Sequence, residues 1–441
     1  MTLREAGLSI WQAALQAGHV RPLVQRALRF HYPGLAVGST SFDLSRIRRL
    51  LVLGAGKASG AMAQVLEEIL DDRISGGLVV VKDGYTAATR RIRLAEAGHP
   101  LPDTRGLQAA RELLDLARNA GEKDLVVTLI SGGGSALTPA PAPPITLADK
   151  QTLTSQLLEA GAAITELNVV RKHCSRLKGG QLARAAAPAP VLSLILSDVI
   201  DDHLDLIASG PTAPDESTYG GALAVLDRFK LKDRVPASVR RHLERGALGE
   251  IPETPKARDP VFRRVTNHVI GNHRLLLEAA EARARLLGFN SYLLTHSLQG
   301  EAREAAGQFT DLAREIPSAG RPVPPPACVI AGGETTVTVR GKGKGGRCQE
   351  FCLAGALSLD GEQNVLILAA GSDGGDGPTD AAGAVADGQT VRRGKEMGLA
   401  PLPQLEENDS YHFFSALGEL VITGPTNTNL LDLYLLLVGE S

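Results

Sequence analysis

The sequence repeats one pattern that constrains its fold: a short apolar run, a glycine-containing turn and a stretch with helical periodicity. Residues 50–53 are apolar and lead into a glycine turn, after which apolar residues recur at helical spacing. Similar apolar runs occupy 77–82, 125–130 and 191–196. Nearly continuous apolar strands separated by helices are typical of a parallel sheet that is covered on both faces. The sequence therefore predicts an α/β protein.

A stretch rich in proline, glycine and charge, residues 246–260, interrupts this pattern. The pattern then starts again with a strand predicted at 265–270. A later segment, 335–340, alternates between apolar and polar residues and predicts a half-exposed strand. Since such alternation is typical of antiparallel pairing, we expect the second sheet to be mixed. The chain is predicted to form two domains, 1–245 and 262–441.

Composition excludes several classes of function. The 47 Lys and Arg against 49 Asp and Glu give a net charge of −2, so no overall positive field would attract a nucleic-acid backbone. Aromatic residues make up only 4%, too few for a surface that stacks unpaired bases. No apolar run reaches the ~18 residues of a membrane span. With no visible signal peptide and no disulfide or zinc pattern among four cysteines, we expect a cytoplasmic protein with small-molecule ligands and neither nucleic-acid nor membrane partners.

Glycine is enriched, with 48 residues in 441, and it clusters after predicted strands, where open α/β sheets bind ligands. The loop 54–60 has the spacing GxGxxxG and contains Lys57. Gly54 and Gly56 would let the backbone approach an anion at the start of the following helix. The loop is not a phosphate-binding loop of the GxxxxGK type, because Leu51 occupies the position of its first glycine. A tight turn with a solvated lysine is the alternative interpretation.

A second glycine loop follows the strand at 125–130 and has the sequence SGGGS. Three glycines between two hydroxyl residues form a candidate nest of backbone N–H groups for phosphate oxygens. Its members are Ser131, Gly132, Gly133, Gly134 and Ser135. A flexible turn is the alternative.

A helix predicted over 166–178 places two cations and two neutral hydrogen-bonding groups on one face. These are Asn168, Arg171, Ser175 and Lys178. Such a face could bind an anionic ligand, and a solvated helix surface is the alternative.

Acidic residues follow two further strands. Asp198 comes directly after 191–196, and Asp373 lies in the acidic, glycine-rich segment 371–380. A carboxylate at the end of a strand suits a Mg²⁺ ligand or a base. The second segment lacks the residue frame of a calcium-binding EF-hand loop, so a role toward a Mg²⁺-nucleotide or a substrate hydroxyl fits it better.

The segment 341–347 contains four glycines and three cations and follows Glu334 closely. This composition favours contact with phosphoryl oxygens at Gly345 and Gly346. Arg347 could make two parallel hydrogen bonds to such a group. An exposed hairpin tip is the alternative.

In this order, these segments resemble the glycerate 2-kinase family, whose C-terminal part is called the MOFRL domain and whose members have also been labelled hydroxypyruvate reductases. The resemblance covers nearly the whole chain. It is carried by GAGKASGAMA (54–63), LISGGGSAL (129–137), ELNVVRKHCSRLKGGQLA (166–183), LILSDVIDD (194–202), GKGGRCQE (343–350) and GSDGGDGPTDAAGA (371–384).

The resemblance implies phosphorylation of D-glycerate at its 2-hydroxyl by ATP and Mg²⁺, giving 2-phosphoglycerate and ADP. It also implies a Rossmann-like N-terminal domain with a mostly parallel sheet, a mixed-sheet MOFRL-type C-terminal domain, and an active site in the cleft between them. Lys57 and Arg347 match the family's essential lysine and arginine. Many members have GRNQE where this chain has Cys348, which removes an amide that could contact substrate or nucleotide. We expect a monomer or a homodimer.

These assignments combine into a hypothesis of in-line phosphoryl transfer, which depends mainly on positioning and charge neutralisation. Lys57 and Arg347, from opposite domains, are expected to flank the transferred group. Lys178 and the SGGGS loop would hold phosphate oxygens. Arg171 and Glu334 are assigned to glycerate, with Arg171 pairing with its carboxylate.

Asp198 and Asp373 are the candidate Mg²⁺ ligands, and either could instead orient the attacking hydroxyl. The alternative enzyme is an NAD(P)-dependent hydroxypyruvate reductase, which the GxGxxxG spacing favours and the presence of Lys57 within it opposes. A non-catalytic sensor of small molecules is a third hypothesis.

Overall fold

Two sheets organise the two halves of the chain. The computed structural model describes residues 1–440, which divide into a first unit, Val20–Ile270, and a second unit formed by Met1–His19 and the chain from Gly271 onward. The helices are α1 (Leu3–Ala17), α2 (Val20–Ala27), α3 (Ser59–Leu70), α4 (Thr104–Arg118), α5 (Gly134–Leu137), α6 (Leu147–Glu159), α7 (Ile164–His173), α8 (Gln181–Ala186), α9 (Tyr219–Arg228), α10 (Ala237–Ala247), α11 (His273–Leu286), α12 (Ala302–Ala319), α13 (Arg347–Ser358), α14 (Thr390–Glu396), α15 (Pro401–Glu406) and α16 (Ser410–Leu417).

The strands are β1 (Leu28–His31), β2 (Gly34–Val37), β3 (Thr40–Asp43), β4 (Arg49–Ala55), β5 (Ile74–Lys82), β6 (Ile92–Ala97), β7 (Asp124–Ile130), β8 (Val191–Leu196), β9 (Val265–Gly271), β10 (Asn290–Leu298), β11 (Ala327–Gly333), β12 (Val365–Gly371), β13 (Gly383–Asp387), β14 (Leu420–Val421) and β15 (Asp432–Val438). Short 3₁₀ helices occupy Leu44–Arg46, Asp71–Arg73, Ile200–Asp202, Ile207–Ser209 and Pro260–Arg264. No helix within residues 1–440 is both long enough and apolar enough to cross a membrane.

The first unit contains the predicted parallel sheet, with strand order β6-β5-β4-β7-β8-β9. The ladders that join β6, β5, β4, β7 and β8 are all parallel, and β7 and β8 are buried along their whole length. From β4 the chain first adds strands on one side and then crosses to β7 on the other. The loops after β4 and β7 therefore start at the point where the strand order reverses, which is where open α/β sheets bind ligands. A separate antiparallel meander is formed by β1, β2 and β3.

The second unit contains the predicted mixed sheet, with strand order β10-β11-β15-β12-β13-β14. Only β10 and β11 pair in parallel, and the other four ladders are antiparallel. Asp432, at the start of β15, pairs in register with Gly333 on one side and Gly371 on the other. The carboxyl ends of β11 and β12 therefore flank the first residue of β15.

The observed units differ in two places from the predicted domains, 1–245 and 262–441. Strand β9, which was expected to open the second domain, is the edge strand of the first sheet. Helix α1 belongs to the second unit, where its buried face includes Ile10 and Trp11. A Cβ atom on Gly7 would lie 3.1 Å from Leu366 of β12, so α1 lies close against this sheet. Neither placement could be inferred from local sequence, because both depend on contacts with distant segments.

The strand predicted at 335–340 is wrong. The segment is irregular apart from an isolated bridge between Thr336 and Glu301. Thr338 donates its backbone N–H to the Glu301 carboxylate, and Arg340 donates its own to Asn408 Oδ1. Because side chains accept hydrogen bonds from these backbone N–H groups, the alternating residues of 335–340 do not pair with a neighbouring strand.

Candidate active site

The loops after β4 and β7 are joined by direct contacts. Lys57 donates its backbone N–H to the carbonyl of Gly132 at 2.9 Å. Gly56 has φ +147°, and a Cβ atom there would lie 2.0 Å from Ser131 Oγ. Gly54 lies within β4, and Gly134 begins α5. Gly56 therefore serves the close approach of one loop to the other, and not only the approach to a ligand that the sequence suggested.

Ser131 is used inside the protein. Its fully buried hydroxyl accepts the backbone N–H of Ala58 at 3.0 Å and lies 3.1 Å from Ser59 Oγ. It thus binds the first turn of α3, a position that normally requires a side-chain or ligand acceptor. This contact fixes the geometry of the loops and gives the hydroxyl partners within the protein.

Lys57 lies beside the second glycine loop. Gly133 has φ +83°, and a Cβ atom there would lie 3.4 Å from Lys57 Cγ and 3.2 Å from the ring of His99. The lysine side chain is half-buried. The structure therefore brings together Lys57 and the SGGGS loop, which the sequence had identified separately.

The helix predicted over 166–178 ends earlier, because α7 stops at His173. Beyond it, the chain pairs with a distant segment: Arg176 donates its N–H to the carbonyl of Ala140, and Ala142 donates to Cys174. The predicted four-residue face is therefore not a helix face. Asn168 is still buried, and its side-chain oxygen accepts the hydroxyl of Ser209 at 2.9 Å.

Ser175 and Lys178 occupy the turn after α7. The Ser175 hydroxyl accepts the backbone N–H of Lys178 at 3.2 Å, and the Lys178 ammonium donates to the carbonyl of Ser135 at 2.6 Å. Lys178 is fully buried, and burial together with nearby Lys150 and Arg171 lowers its pKa well below the ordinary value. The predicted phosphate-binding lysine is thus attached to the second glycine loop.

Arg171 lies in the same region. Burial lowers its pKa to about 10. Arg171 and Lys178 are close enough for the charge of one to disfavour that of the other, and neither forms an ion pair with a carboxylate within residues 1–440. A cation withdrawn from water without a carboxylate partner is costly, as for the fully buried Lys178 and, in part, the half-buried Arg171, and an anionic ligand reduces that cost. This property supports the predicted anion-binding role.

The segment that follows β8 has an unusual backbone. Asp201, Asp202, Ala208 and Ser209 all adopt positive φ, between 50° and 62°. Non-glycine residues rarely adopt this conformation, and such strain concentrates at functional sites. Asp198 lies at the start of the segment and is half-buried. Sequence reasoning missed this feature because the segment contains no glycine before position 210.

Ser209 connects the strained segment to the glycine loop. Its hydroxyl lies 2.9 Å from that of Ser135, and its carbonyl accepts the N–H of Gly179 at 2.9 Å. The two predicted regions, at 131–135 and 168–178, are therefore bridged by residues from the Asp198 side of the sheet.

Arg347 dominates the candidate site of the second unit. It begins α13, and its Nε and Nη2 donate to Asp432 at 2.5 and 2.9 Å, while Nη1 lies 2.7 Å from Glu334. Burial opposes its charge, but Asp432 and Glu334 more than compensate and raise the Arg347 pKa above its ordinary value. The guanidinium is therefore charged and held in one orientation.

Sequence reasoning missed Asp432. Its side chain is buried and also accepts the hydroxyl of Tyr434 at 3.1 Å. The available signal was a single carboxylate within the apolar run 430–438, since a buried charge needs a partner.

The glycines of the cationic loop allow contact between protein segments. A Cβ atom on Gly345 would lie 2.3 Å from Ser410 Oγ, and one on Gly346 would lie 2.3 Å from the carboxylate of Asp376. Lys344 extends over the ring of Tyr411, 4.0 Å from its centre. The sequence predicted that these glycines approach a ligand, whereas the described structure gives them close protein neighbours.

Asp376 fixes the start of α13. Its carboxylate accepts the backbone N–H groups of Cys348 and Gln349 at 3.1 and 2.9 Å, as well as the Gln349 amide. Burial raises the Asp376 pKa to about 6. This acidic cap holds the helix turn that carries Arg347.

Cys348 points into protein. Its side chain is fully buried in the apolar core of the second unit, together with Phe351 and Phe413. The expected loss of an amide contact to a ligand is therefore not supported. A thiol suits this apolar environment better than an amide does.

Asp373 is partly exposed, in the loop after β12. Its carboxylate accepts the N–H of Gly375 at 3.0 Å. A Cβ atom on Gly371 would lie 3.5 Å from Asp373 and 3.2 Å from Asp432, so both carboxylates lie close to this glycine. Asp373 therefore lies at the same end of the sheet as Arg347.

The carboxylates fit the way that kinases bind Mg²⁺. Among residues 1–440, no group of three or more His, Cys, Asp or Glu is arranged to hold a metal ion. Mg²⁺ usually needs only one or two carboxylates, because waters and substrate phosphates complete its coordination. Asp198 in the first unit and Asp373 in the second each carry a carboxylate, the type of oxygen donor that Mg²⁺ prefers.

Comparison with known proteins identifies the family. Residues 7–244 match a family model described as a domain of unknown function, and residues 327–432 match the MOFRL family. The chain is 40% identical to a glycerate 2-kinase of Pyrococcus horikoshii over 99% of its own length and 98% of the relative's. The chain belongs to the glycerate 2-kinase family.

A solved structure and a second relative extend this comparison. The crystal structure of a glycerate kinase from Thermotoga maritima matches with a TM-score of 0.84 and 39% identity, covering 99% of both chains. A relative from Agrobacterium vitis, 41% identical over 89% of this chain and 87% of its own, is provisionally named as a hydroxypyruvate reductase. The fold is thus shared with a glycerate kinase over nearly the whole chain.

Proposed function

We propose that this chain transfers the γ-phosphoryl group of ATP to the 2-hydroxyl of D-glycerate, with Mg²⁺ as cofactor. The observation that carries the proposal is the gathering of Lys57, Arg171 and Lys178 around residues 131–135, at the reversal point of the first sheet. ATP and glycerate are both anions, so bringing them together needs such a concentration of positive charge. The similarity to glycerate kinases over almost the whole chain supports the same reaction.

The chemistry requires charge neutralisation more than covalent work by the protein. In the first unit, Lys57 is proposed to bind the transferred phosphoryl group, and Lys178 with the 131–135 backbone to bind phosphate oxygens. Arg171 is proposed to bind the glycerate carboxylate. Mg²⁺, when bound, would neutralise phosphate charge; either Asp198 or Asp373 is proposed as its carboxylate donor, and either could instead orient the attacking hydroxyl.

In the second unit, Arg347 is proposed as the second catalytic cation. Asp432 holds one edge of its guanidinium, and the exposed Glu334 contacts the remaining nitrogen. A phosphoryl oxygen could replace Glu334 at Nη1 without reorienting the arginine. Because two carboxylates repel, Glu334 is proposed to contact glycerate only through a hydroxyl.

Two assays on purified protein test this proposal against the reductase alternative. We expect ADP release that requires D-glycerate, ATP and Mg²⁺ together, and no oxidation of NADPH or NADH with hydroxypyruvate. Oxidation of the nicotinamide without ADP release would overturn the proposal. Saturable binding of ATP and glycerate without turnover would instead favour the sensor hypothesis.

A further inference from the structure

Lys150 occupies a position where an apolar residue is expected. The buried residues of α6 are Lys150, Leu153 and Leu157, which lie three and four positions apart on one helix face. The two leucines pack in an apolar cluster with Val170 and Cys174. Lys150 is only 4% exposed, so it belongs to the same inward stripe.

The Lys150 ammonium has no hydrogen-bond partner in the described structure. The groups that act on it are the thiol of Cys174 and the guanidinium of Arg171, and no carboxylate is among them. Burial, reinforced by Arg171, lowers the Lys150 pKa to about 8. A buried ammonium in this state is costly.

Lys172 is a buried lysine whose ammonium is paired with carboxylates, and it provides a comparison for Lys150. It is 3% exposed, and its ammonium lies 2.8 Å from Asp205 and 3.4 Å from Asp215. The two lysines are equally buried and belong to neighbouring helices, yet only Lys172 has carboxylate partners among residues 1–440. Burial in this part of the fold therefore does not by itself leave a lysine without a carboxylate partner, and the lack of one is particular to Lys150.

Lys150 extends the candidate site already described. The charge of Arg171 acts on Lys150, and the charges of both act on Lys178, which donates to the carbonyl of Ser135. Two buried lysines and the half-buried Arg171 thus gather beside the second glycine loop without a carboxylate partner among residues 1–440. The arrangement is suited to an anion that enters with the ligand.

We infer that Lys150, together with Arg171, binds the carboxylate of the three-carbon acid substrate. This inference rests on the proposed function. A carboxylate is small and carries a single charge, which suits an ammonium buried in an apolar helix stripe. The nucleotide phosphates are bulkier and are partly neutralised by Mg²⁺, so the more accessible Lys57 suits them better.

Lys150→Met tests the inference because it keeps the length of the side chain and removes its charge. We expect the KM for D-glycerate to rise about 10- to 100-fold, the range for a lost hydrogen bond to a charged group. The KM for ATP and kcat should change less than about threefold. The preference for D-glycerate over its neutral amide, D-glyceramide, should fall by a similar factor.

A stability measurement separates this role from a structural one. Lys150→Met should unfold at the same temperature as the wild type or higher, since it removes an unpaired buried charge. Lys172→Met is the matched control, and it should unfold at a lower temperature because it leaves buried Asp215 without its cation. A large destabilisation of Lys150→Met, with no change in the KM for D-glycerate, would show that the lysine is structural and overturn the inference.

Other outcomes are equally decisive. An unchanged KM for D-glycerate in an active, folded variant overturns the inference and leaves the proposed function intact. A rise confined to the KM for ATP assigns the anion to the nucleotide and also overturns it. If the wild type does not phosphorylate glycerate, the proposed function fails. The inference is then tested separately by calorimetric titration with D-glycerate. Loss of D-glycerate binding in Lys150→Met would support the inference. Unchanged binding in that variant would overturn it.

Discussion

Lys150, Arg171 and Lys178 in the first unit lie close together without a carboxylate partner among residues 1–440, whereas Arg347 in the second unit is bound by both Asp432 and Glu334. Burial lowers the pKa values of the first group, and paired carboxylates raise that of Arg347. The difference separates two uses of a cation that is at least half-buried. A cluster of cations without carboxylate partners favours the binding of an anionic ligand. An arginine paired with carboxylates is already oriented before any ligand binds.

Removing the paired arginine should have the largest effect, since it affects both activity and stability. Arg347→Met is expected to lower kcat about 10²- to 10³-fold, as for the loss of a charge that stabilises a transition state. It should also lower the free energy of unfolding by about 3 kcal/mol, because buried Asp432 loses its cation. Coupled ADP release and urea denaturation measure the two effects. A variant with normal stability would show that Asp432 does not depend on Arg347.

Lys57→Ala should reduce activity to a similar extent without a comparable loss of stability. We expect kcat to fall about 10²- to 10³-fold, because the lysine is proposed to act on the transferred phosphoryl group. Because the side chain is only half-buried, its removal should lower the free energy of unfolding by less than about 1 kcal/mol. Lys232→Met, at a partly exposed lysine that faces Asp227, is the control for loss of one positive charge. Near-normal turnover of the Lys57 variant would remove it from the mechanism.

The pH dependence of stability provides a third contrast. Lys150 has an ordinary pKa of 10.5 when unfolded and about 8 when folded, near Arg171, Cys174 and Lys178. Below pH 8 it is charged in both states, so the cost of burial is fully present. As pH rises from about 8 to 10.5, the folded chain loses the proton first, and the wild type should gain stability relative to Lys150→Met. Denaturation curves at several pH values measure this difference, and a constant difference would contradict it.

The smallest effect should come from Lys344, which contacts the ring of Tyr411. Lys344→Met is expected to change kcat less than about threefold and stability by about 0.5 kcal/mol, the range of an exposed cation–π contact. Steady-state assays of this variant beside Arg347→Met measure the difference. A decrease in kcat as large as that of Arg347→Met would show that the whole loop binds phosphate.

Local sequence predicted much of the first sheet correctly. The apolar runs at 50–53, 125–130 and 191–196 are β-strands, and the glycine loops after the first two lie together because parallel strands end at one edge. The strands of the first sheet follow from residue periodicity, which acts over short stretches of chain. The second sheet is mixed, as predicted, but the strand at 335–340 on which that prediction rested does not form.

Features that depend on distant partners could not be predicted. Helix α7 ends at His173 because Arg176 pairs with Ala140, and 335–340 is irregular because Glu301 and Asn408 bind its amides. No local pattern contains this information. Lys150 is different: its position on the stripe of Leu153 and Leu157 was visible in the sequence, but only the structure shows that its ammonium has no partner.

The most direct test of the account is the identity of the reaction product. Purified protein with ATP, Mg²⁺ and D-glycerate should yield a phosphoglycerate whose ³¹P and ¹³C NMR spectra place the phosphate on carbon 2. This result would support a first unit that binds the carboxylate beside the phosphoryl-transfer groups. Formation of 3-phosphoglycerate, or the absence of any phosphoglycerate, would contradict the account.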